Sequence, residues 1–264
     1  MSNISESVVS AANEAIKDSA PRMGSAPPAS VKLMRGIKHE DEWLQNAIIR
    51  ELNGEDEEAI VSLTTKSDMV YSDYMSALLK RAVVTIGDVP IAKNQGLIDQ
   101  LMIGDRDLLF IGAMKATYGR FREMEVSCGN CGETNFVTLN LDEDFSFEFP
   151  EKDFTLPIEV ELRDGSIVKL RYPTGADSSH VAKKAKTTAE QNTMMLARCS
   201  EWDDNQPTNT EQWAKHLGVS DRSKLVRALT NNPPGPKMEE VKTQCAKCSE
   251  ELLIIMDWVS LLFS

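Results

Sequence analysis

"VSCGNCGET", residues 126–134, carries two cysteines two residues apart, with a glycine between them and another directly behind. A Cys-x-x-Cys pair serves redox chemistry, supplies half of a metal site, or is two unrelated thiols. The deciding feature is a matching half elsewhere, and the chain supplies one. Cys245 and Cys248 in "TQCAKCSEE" (243–251) repeat the spacing, with Ser249 where the first pair has Gly132. Between Cys131 and Cys245 lie 113 residues, against roughly 12–20 in compact zinc ribbons. Stretches of alternating polarity flank both pairs, so each is expected in a tight turn between two strands, the form of a zinc knuckle. Four thiolates in a tetrahedron suit zinc. A redox pair usually opens a helix after a strand, a context that neither pair has. The expectation is one structural zinc held by Cys128, Cys131, Cys245 and Cys248, with no coordination position left for water or substrate. The alternative is two independent pairs, redox-active or simply buried. Cys199, in "MLARCSE", is left over and reads as a small buried apolar residue.

Outward from the first pair, "FREMEVS" (121–127) and "NFVTLNL" (135–141) alternate with a period of two and predict a hairpin. "PIEVELRDGSIVKLRYP" (157–173) predicts a second hairpin. A three-residue loop, Arg163-Asp164-Gly165, sets Val160 opposite Val168, Ile158 opposite Leu170 and Glu159 opposite Lys169. A two-residue Asp-Gly loop would set Val160 against Lys169, a poorer match.

The rest of the chain reads mainly as helix. Residues 1–34 predict a flexible arm, rich in Ala, Ser and Pro. A thin amphipathic face (Ile4, Val8, Ala12, Ala15, Ile16) is expected to order only on a partner. A helical domain is expected over 35–120. Trp43, Leu44, Ala47, Ile48 and Leu52 predict its first helix, ended by Asn53-Gly54. Ser67 is the expected cap of a second, lined by Met69, Val70, Tyr74, Leu78 and Leu79. Asp105 is the expected cap of a third, which Gly119 stops. Residues 121–175 with 238–264 would form the zinc-ribbon β domain, and 176–237 a helical insertion. That insertion opens with one long helix to about Trp202, capped by Asp177 or Ser178. Two shorter helices, each with a Ser or Thr cap, follow before the break "NNPPGPK" (231–237). The fold class is therefore α+β. It combines a helical N-terminal part, a small antiparallel β region with a split zinc ribbon, and a helical insertion between the knuckles.

Composition narrows the function. The chain has 264 residues, 41% hydrophobic and 27% charged, as in ordinary globular proteins. A net charge of −12 disfavours nucleic acid as a partner, because phosphate binding needs Lys and Arg. The acidic excess gathers in "EDEEAI" (55–60) and "LDEDFSFEFPEKDF" (141–154), while the one local basic cluster, "AKKAKTT" (182–188), is small. No apolar run reaches the roughly 18 residues of a membrane span, and no secretory signal is visible, so a cytoplasmic setting is expected. In a reducing compartment five cysteines are not expected to form disulfides.

Enzyme signatures fail. His39-Glu40 lacks the second histidine of a zinc-protease helix, and no His-x-Glu accompanies a Pro-Cys-x-x-Cys. No Gly-rich phosphate loop is present. Three histidines in all, His39, His180 and His216, leave little for acid–base chemistry, and each reads as surface or capping.

The order of motifs resembles one known family. "LMIGDRDLLFIGAMKATYG" (101–119) is followed by "CGNCGE" (128–133), "VTLNLD" (137–142) and "VELRDGSIVKLRYPTGAD" (160–177). Then come "PPGPKMEEVKTQCAKCSEE" (233–251) and "DWVSLLFS" (257–264). Together they resemble the T-even-type baseplate hub assembly family of contractile-tailed bacteriophages. The likeness covers about residues 97–264, and the preceding part more loosely. Its most specific elements are the Gly-Asp-Arg helix start, the two knuckles and the "LRYPTG" strand exit. Members typically end in paired phenylalanines, where this chain has Leu262-Phe263. The resemblance implies a non-enzymatic hub component or assembly chaperone. Its partners would be other baseplate or tail hub proteins, and its setting the host cytoplasm during assembly and the virion tail baseplate. The apolar C-terminal segment is then a last core strand or a docking segment. The competing class is a zinc-ribbon module that binds nucleic acid or a transcription complex, against which the acidic charge weighs.

Overall fold

The computed structural model describes residues 27–64, 69–145, 157–202, 207–231, 233–236 and 242–253. The expected helix at 4–17, the cap Ser67 and the C-terminal segment from residue 254 lie outside them.

The chain opens on a hairpin, not a helix. β1 (Ala29–His39) pairs antiparallel with β2 (Glu42–Ile49), and the sheet continues through β3 (Val83–Ile86) to β4 (Val89–Pro90). Strand therefore begins inside the stretch expected as a flexible arm, and residues 42–49 are strand where helical spacing predicted helix. The apolar residues of β2 fit both periods, and the turn decides between them. Glu40 and Asp41 both adopt positive φ, 46° and 68°, the geometry of a two-residue hairpin loop that normally asks for Asn-Gly. Trp43, expected on a packing face, is 48% exposed, with the Arg35 guanidinium 4.8 Å from its ring centroid.

Among the described residues, four α-helices follow in this half: α1 (Gly54–Thr64), α2 (Tyr71–Ala82), α3 (Gly96–Gln100) and α4 (Ile103–Tyr118). Tyr74, Leu78 and Leu79 are buried on α2 as their spacing predicted, and Gly119 ends α4 at φ 85°. β5 (Phe121–Ser127) and β6 (Thr134–Asn140) form the predicted hairpin. Its inner residues Met124 and Leu139 enter the same apolar cluster as Leu33, Leu78, Leu109 and Phe110.

The Gly-Asp-Arg start of α4 ties several distant segments together. Gly104 leaves room for the chain at Pro234, whose carbonyl oxygen would lie 1.9 Å from a Cβ at 104. Asp105 does not cap its own helix, which starts after Met102. Its carboxylate instead accepts the backbone N–H groups of Met34 (2.6 Å), Gly36 (2.8 Å) and Arg35 (3.2 Å). These lie where the β1–β2 register breaks, so one buried carboxylate closes the strand's bulged edge. Burial pushes the Asp105 carboxyl up, against the pull of those three N–H groups. Arg106 is 2% exposed and donates to Ser72 O, Ser76 Oγ and Ile98 O. Its guanidinium lies against Gly175, where a Cβ would come within 1.6 Å of Nη1. The "LRYPTG" exit thus meets the helix start: Ile103 N–H donates to Pro173 O, and Gly175 N–H to Leu101 O (both 3.1 Å).

The second half has its own apolar cluster. β7 (Ile158–Glu161) and β8 (Ile167–Leu170) pair in the predicted register, Gly165 has φ 84°, and β9 (Ser200–Glu201) adds to β8. The long helix expected to Trp202 is two. α5 (Gly175–Lys184) and α6 (Thr188–Cys199) are split because Thr187 caps the second, accepting from Glu190 N–H. Thr174 caps α5 with Asp177 as its reciprocal partner, so the cap lies ahead of the expected Asp177 or Ser178. α7 (Thr210–His216) is capped by Asn209, and α8 (Val219–Thr230) begins after Gly218 without a side-chain cap, in place of the expected Ser or Thr. Asp177, 1% exposed, accepts from Arg171 (2.6 Å) and Arg198 Nε (2.8 Å) as well as from Thr174 N–H. Cys199 is fully buried in this cluster, as expected, and burial pushes its thiol up to about 12. β10 (Lys242–Gln244) and β11 (Glu251–Leu253) form the last hairpin. The class is α+β, with small antiparallel sheets.

Candidate metal centre

Two hairpin turns, far apart in sequence, build the site. In the first, Cys128 N–H donates to Glu133 O (2.8 Å) and Gly132 N–H to Cys128 O (2.9 Å). In the second, Cys245 N–H donates to Glu250 O and Ser249 N–H to Cys245 O, both at 2.9 Å. The two turns repeat each other bond for bond. Gly132 and Ser249 hold matching left-handed conformations, φ 71° and 60°. Ser249 does so without the freedom that glycine has.

The turns bring all four cysteines together. Their sulfurs lie within 4.8 Å of one another, with Cys128–Cys248 at 3.7 Å and Cys131–Cys245 at 3.6 Å. A tetrahedron with metal–sulfur bonds of about 2.3 Å has edges of about 3.8 Å, so the donor set fits one ion. Cys128 and Cys245 are buried, while Cys131 and Cys248 are half-buried. Among the described residues, Leu252 is the other buried apolar member of this cluster.

Asn135 ties the two halves. Its Nδ2 donates to Cys245 Sγ (3.6 Å) and to the carbonyl of Glu133 (3.1 Å), and its Oδ1 accepts Ala246 N–H (2.9 Å). Alternation along β6 identifies Asn135 as inward-facing, and a polar residue there was the available signal of a special role. Lys247 pairs with Glu133 across the halves at 2.9 Å. Backbone N–H groups of Cys248 and Lys247, with the Asn135 amide, pull the Cys245 thiol down to about 6. The Glu133 N–H pulls Cys131 the same way, but desolvation and the neighbouring sulfurs push it up to about 12. Without an ion, four thiols this close cannot all ionise; a bound cation would supply the missing charge. No histidine joins the cluster, which among the described residues is the one such group of metal-ligating side chains. No helix in the described part is long and apolar enough to cross a membrane.

Comparison with known proteins gives one finding. The model of a family described as "T4 bacteriophage base plate protein" matches residues 45–262, which include both cysteine turns, the α4 start and the "LRYPTG" exit. No curated protein and no solved structure matches the chain. The match spans most of the chain, and the protein belongs to the T4 bacteriophage base plate protein family, the structural proteins of a phage tail baseplate.

Proposed function

We propose that the chain acts at the central hub of the baseplate, as a scaffold on which other tail proteins assemble, and that Cys128, Cys131, Cys245 and Cys248 hold one structural zinc ion. The single observation that supports this most is the meeting of two knuckles, 113 residues apart, around a tetrahedron-sized set of sulfurs. Zinc supplies charge and four bonds there, and no site for chemistry. What the protein does around the ion is orient the sulfurs, through the paired turns and Asn135. Residues 176–237 then form an insertion tied back at its ends, through Gly175 against Arg106 and Pro234 against Gly104. Assembly would begin in the host cytoplasm.

Elemental analysis of protein purified without added metal tests the ion. One zinc per chain is the expected result; no metal, with four freely titrating thiols, overturns it. Proteomic detection tests the role. Presence in purified tails marks a hub component, and presence only in assembly intermediates marks a chaperone. Absence from both sinks the hub assignment.

A further inference from the structure

Strand edges invite further strands, and proteins usually close them with charge, proline, a bulge or a covering element. Most described edges here are closed. β1 is sealed by its bulge and Asp105, and β4 is two residues long and ends in Pro90. β7 takes a bond from the Lys224 ammonium at the Glu161 carbonyl, and α8 packs beside it. β9 has two residues, and in the last hairpin Lys242 of β10 is paired to Glu251 of β11. β5 carries three charged residues, Arg122, Glu123 and Glu125.

β6 is different. "TNFVTLN" is seven residues long, with no charge, no proline and no bulge. The register fixes which groups face off the edge. Cys128 N–H bonds to Glu133 O and Leu141 N–H to Arg120 O, so Asn135, Val137 and Leu139 bond inward to β5. Phe136 and Thr138 point their N–H and C=O groups outward, and these have no backbone partner among the described residues. Asp144 takes up the Asn140 N–H and marks the end of the free stretch. Phe136, in the middle, is 76% exposed. Across from it on the same face stand Glu125, and next to that Glu123 opposite Thr138. Neither carboxylate has an ion-pair partner among the described residues.

We propose that the free edge of β6 is a docking site for an extended, Lys- or Arg-bearing segment of another tail protein, which adds as a third strand. Main-chain bonds at Phe136 and Thr138 would hold it, an apolar side chain would cover Phe136, and its cation would meet Glu123 and Glu125. Charge selects this occupant over a second copy, since each copy carries −12. That the partner is a tail protein rests on the baseplate reading; the edge itself does not.

The test uses the full chain and an array of overlapping peptides of about 15 residues, long enough for a strand, tiling the other tail proteins of the same phage. Peptides with alternating apolar residues and at least one Lys or Arg are expected to bind. Thr138→Pro removes an N–H that makes no bond within the hairpin, and Phe136→Lys puts a guard on the edge. Each is expected to weaken binding at least about tenfold, while Ile167→Lys, at an exposed position of the separate β7–β8 hairpin, leaves it unchanged. Metal content and melting temperature of each variant report whether the hairpin is intact. No bound peptide, binding that ignores both edge variants in an intact hairpin, or equal binding of peptides without cations overturns the proposal. So does a dimer in sedimentation that Thr138→Pro dissolves, which would make a second copy the occupant. Absence of the chain from tails and intermediates would overturn the hub role and leave the peptide result standing.

Discussion

The core around α4 and the paired knuckles are held by opposite means. Around α4, some two dozen apolar side chains are buried together, and three charged groups among them are each answered. Asp105 takes three backbone N–H groups, Arg106 three oxygens, and Asp56 the guanidinium groups of both Arg50 and Arg81. In the knuckles, among the described residues, one leucine is buried beside the sulfurs. Burying Leu252 is worth about 2 kcal/mol, too little to order the β10–β11 hairpin against chain entropy, whereas Met124 and Leu139 tie β5–β6 to the α4 core. The first region folds on area and paired charge; the proposed ion would carry the second.

Metal removal should split the two regions, and it carries the largest expected effect. Four-cysteine zinc sites supply apparent binding energies of about 10–16 kcal/mol, which here would be folding energy of the knuckles. Chelation, or Cys128→Ser, is expected to free the amides of residues 242–253 to exchange, while those of α2 and α4 stay protected. Knuckle amides that remain protected in demonstrably metal-free protein would erase the distinction.

A smaller effect tests the claim that paired charge serves the rest of the chain. Burial alone would raise the Asp177 carboxyl. The Arg171 guanidinium and Thr174 N–H outweigh it and hold the group below the usual carboxylate range. A lowered folded-state value means stability that is present above the ordinary carboxylate pKa and lost as pH falls through the folded one. Asp177→Asn should therefore cost about 3 kcal/mol at neutral pH, since it strands two guanidinium groups. It should also flatten the loss of stability below about pH 4. An unchanged acid profile would mean that another carboxylate carries it.

What the sequence made legible divides along the same line. The knuckles, the β5–β6 strands and the β7–β8 register announce themselves through short-range chemistry: cysteine spacing, alternation, and Asp-Gly in a turn. The β1–β2 hairpin did not, because Glu40-Asp41 fills a turn whose usual signal is Asn-Gly, and the apolar residues of β2 match helical spacing as well. The task of Asp105 was hidden for a different reason. Its partners lie some 70 residues away, and a carboxylate in a first turn looks like a cap. Asn135 was hidden likewise by a partner 111 residues on. Replacing Glu40-Asp41 by Asn-Gly should raise stability by about 1 kcal/mol, read as a shift in denaturant midpoint. A loss instead would show that the Lys38–Asp41 pair contributes more than backbone strain costs.

The smallest effect probes the knuckles against each other. Gly132 and Ser249 occupy equivalent positions with equivalent bonds, and only Ser249 bears a Cβ in the left-handed region. An L-residue there costs about 1–2 kcal/mol, of which the glycine variant returns part as unfolded-state entropy. Ser249→Gly is therefore expected to gain about 0.5–1 kcal/mol, read as a two- to fivefold tighter hold on zinc in chelator competition. Gly132→Ser should lose about as much, because it places the same Cβ in the same strained geometry. Matching shifts of opposite sign would show two interchangeable halves around one ion. A weaker hold in Ser249→Gly would instead mean that the serine hydroxyl supports the site, and that the repeat of backbone bonds conceals unequal halves.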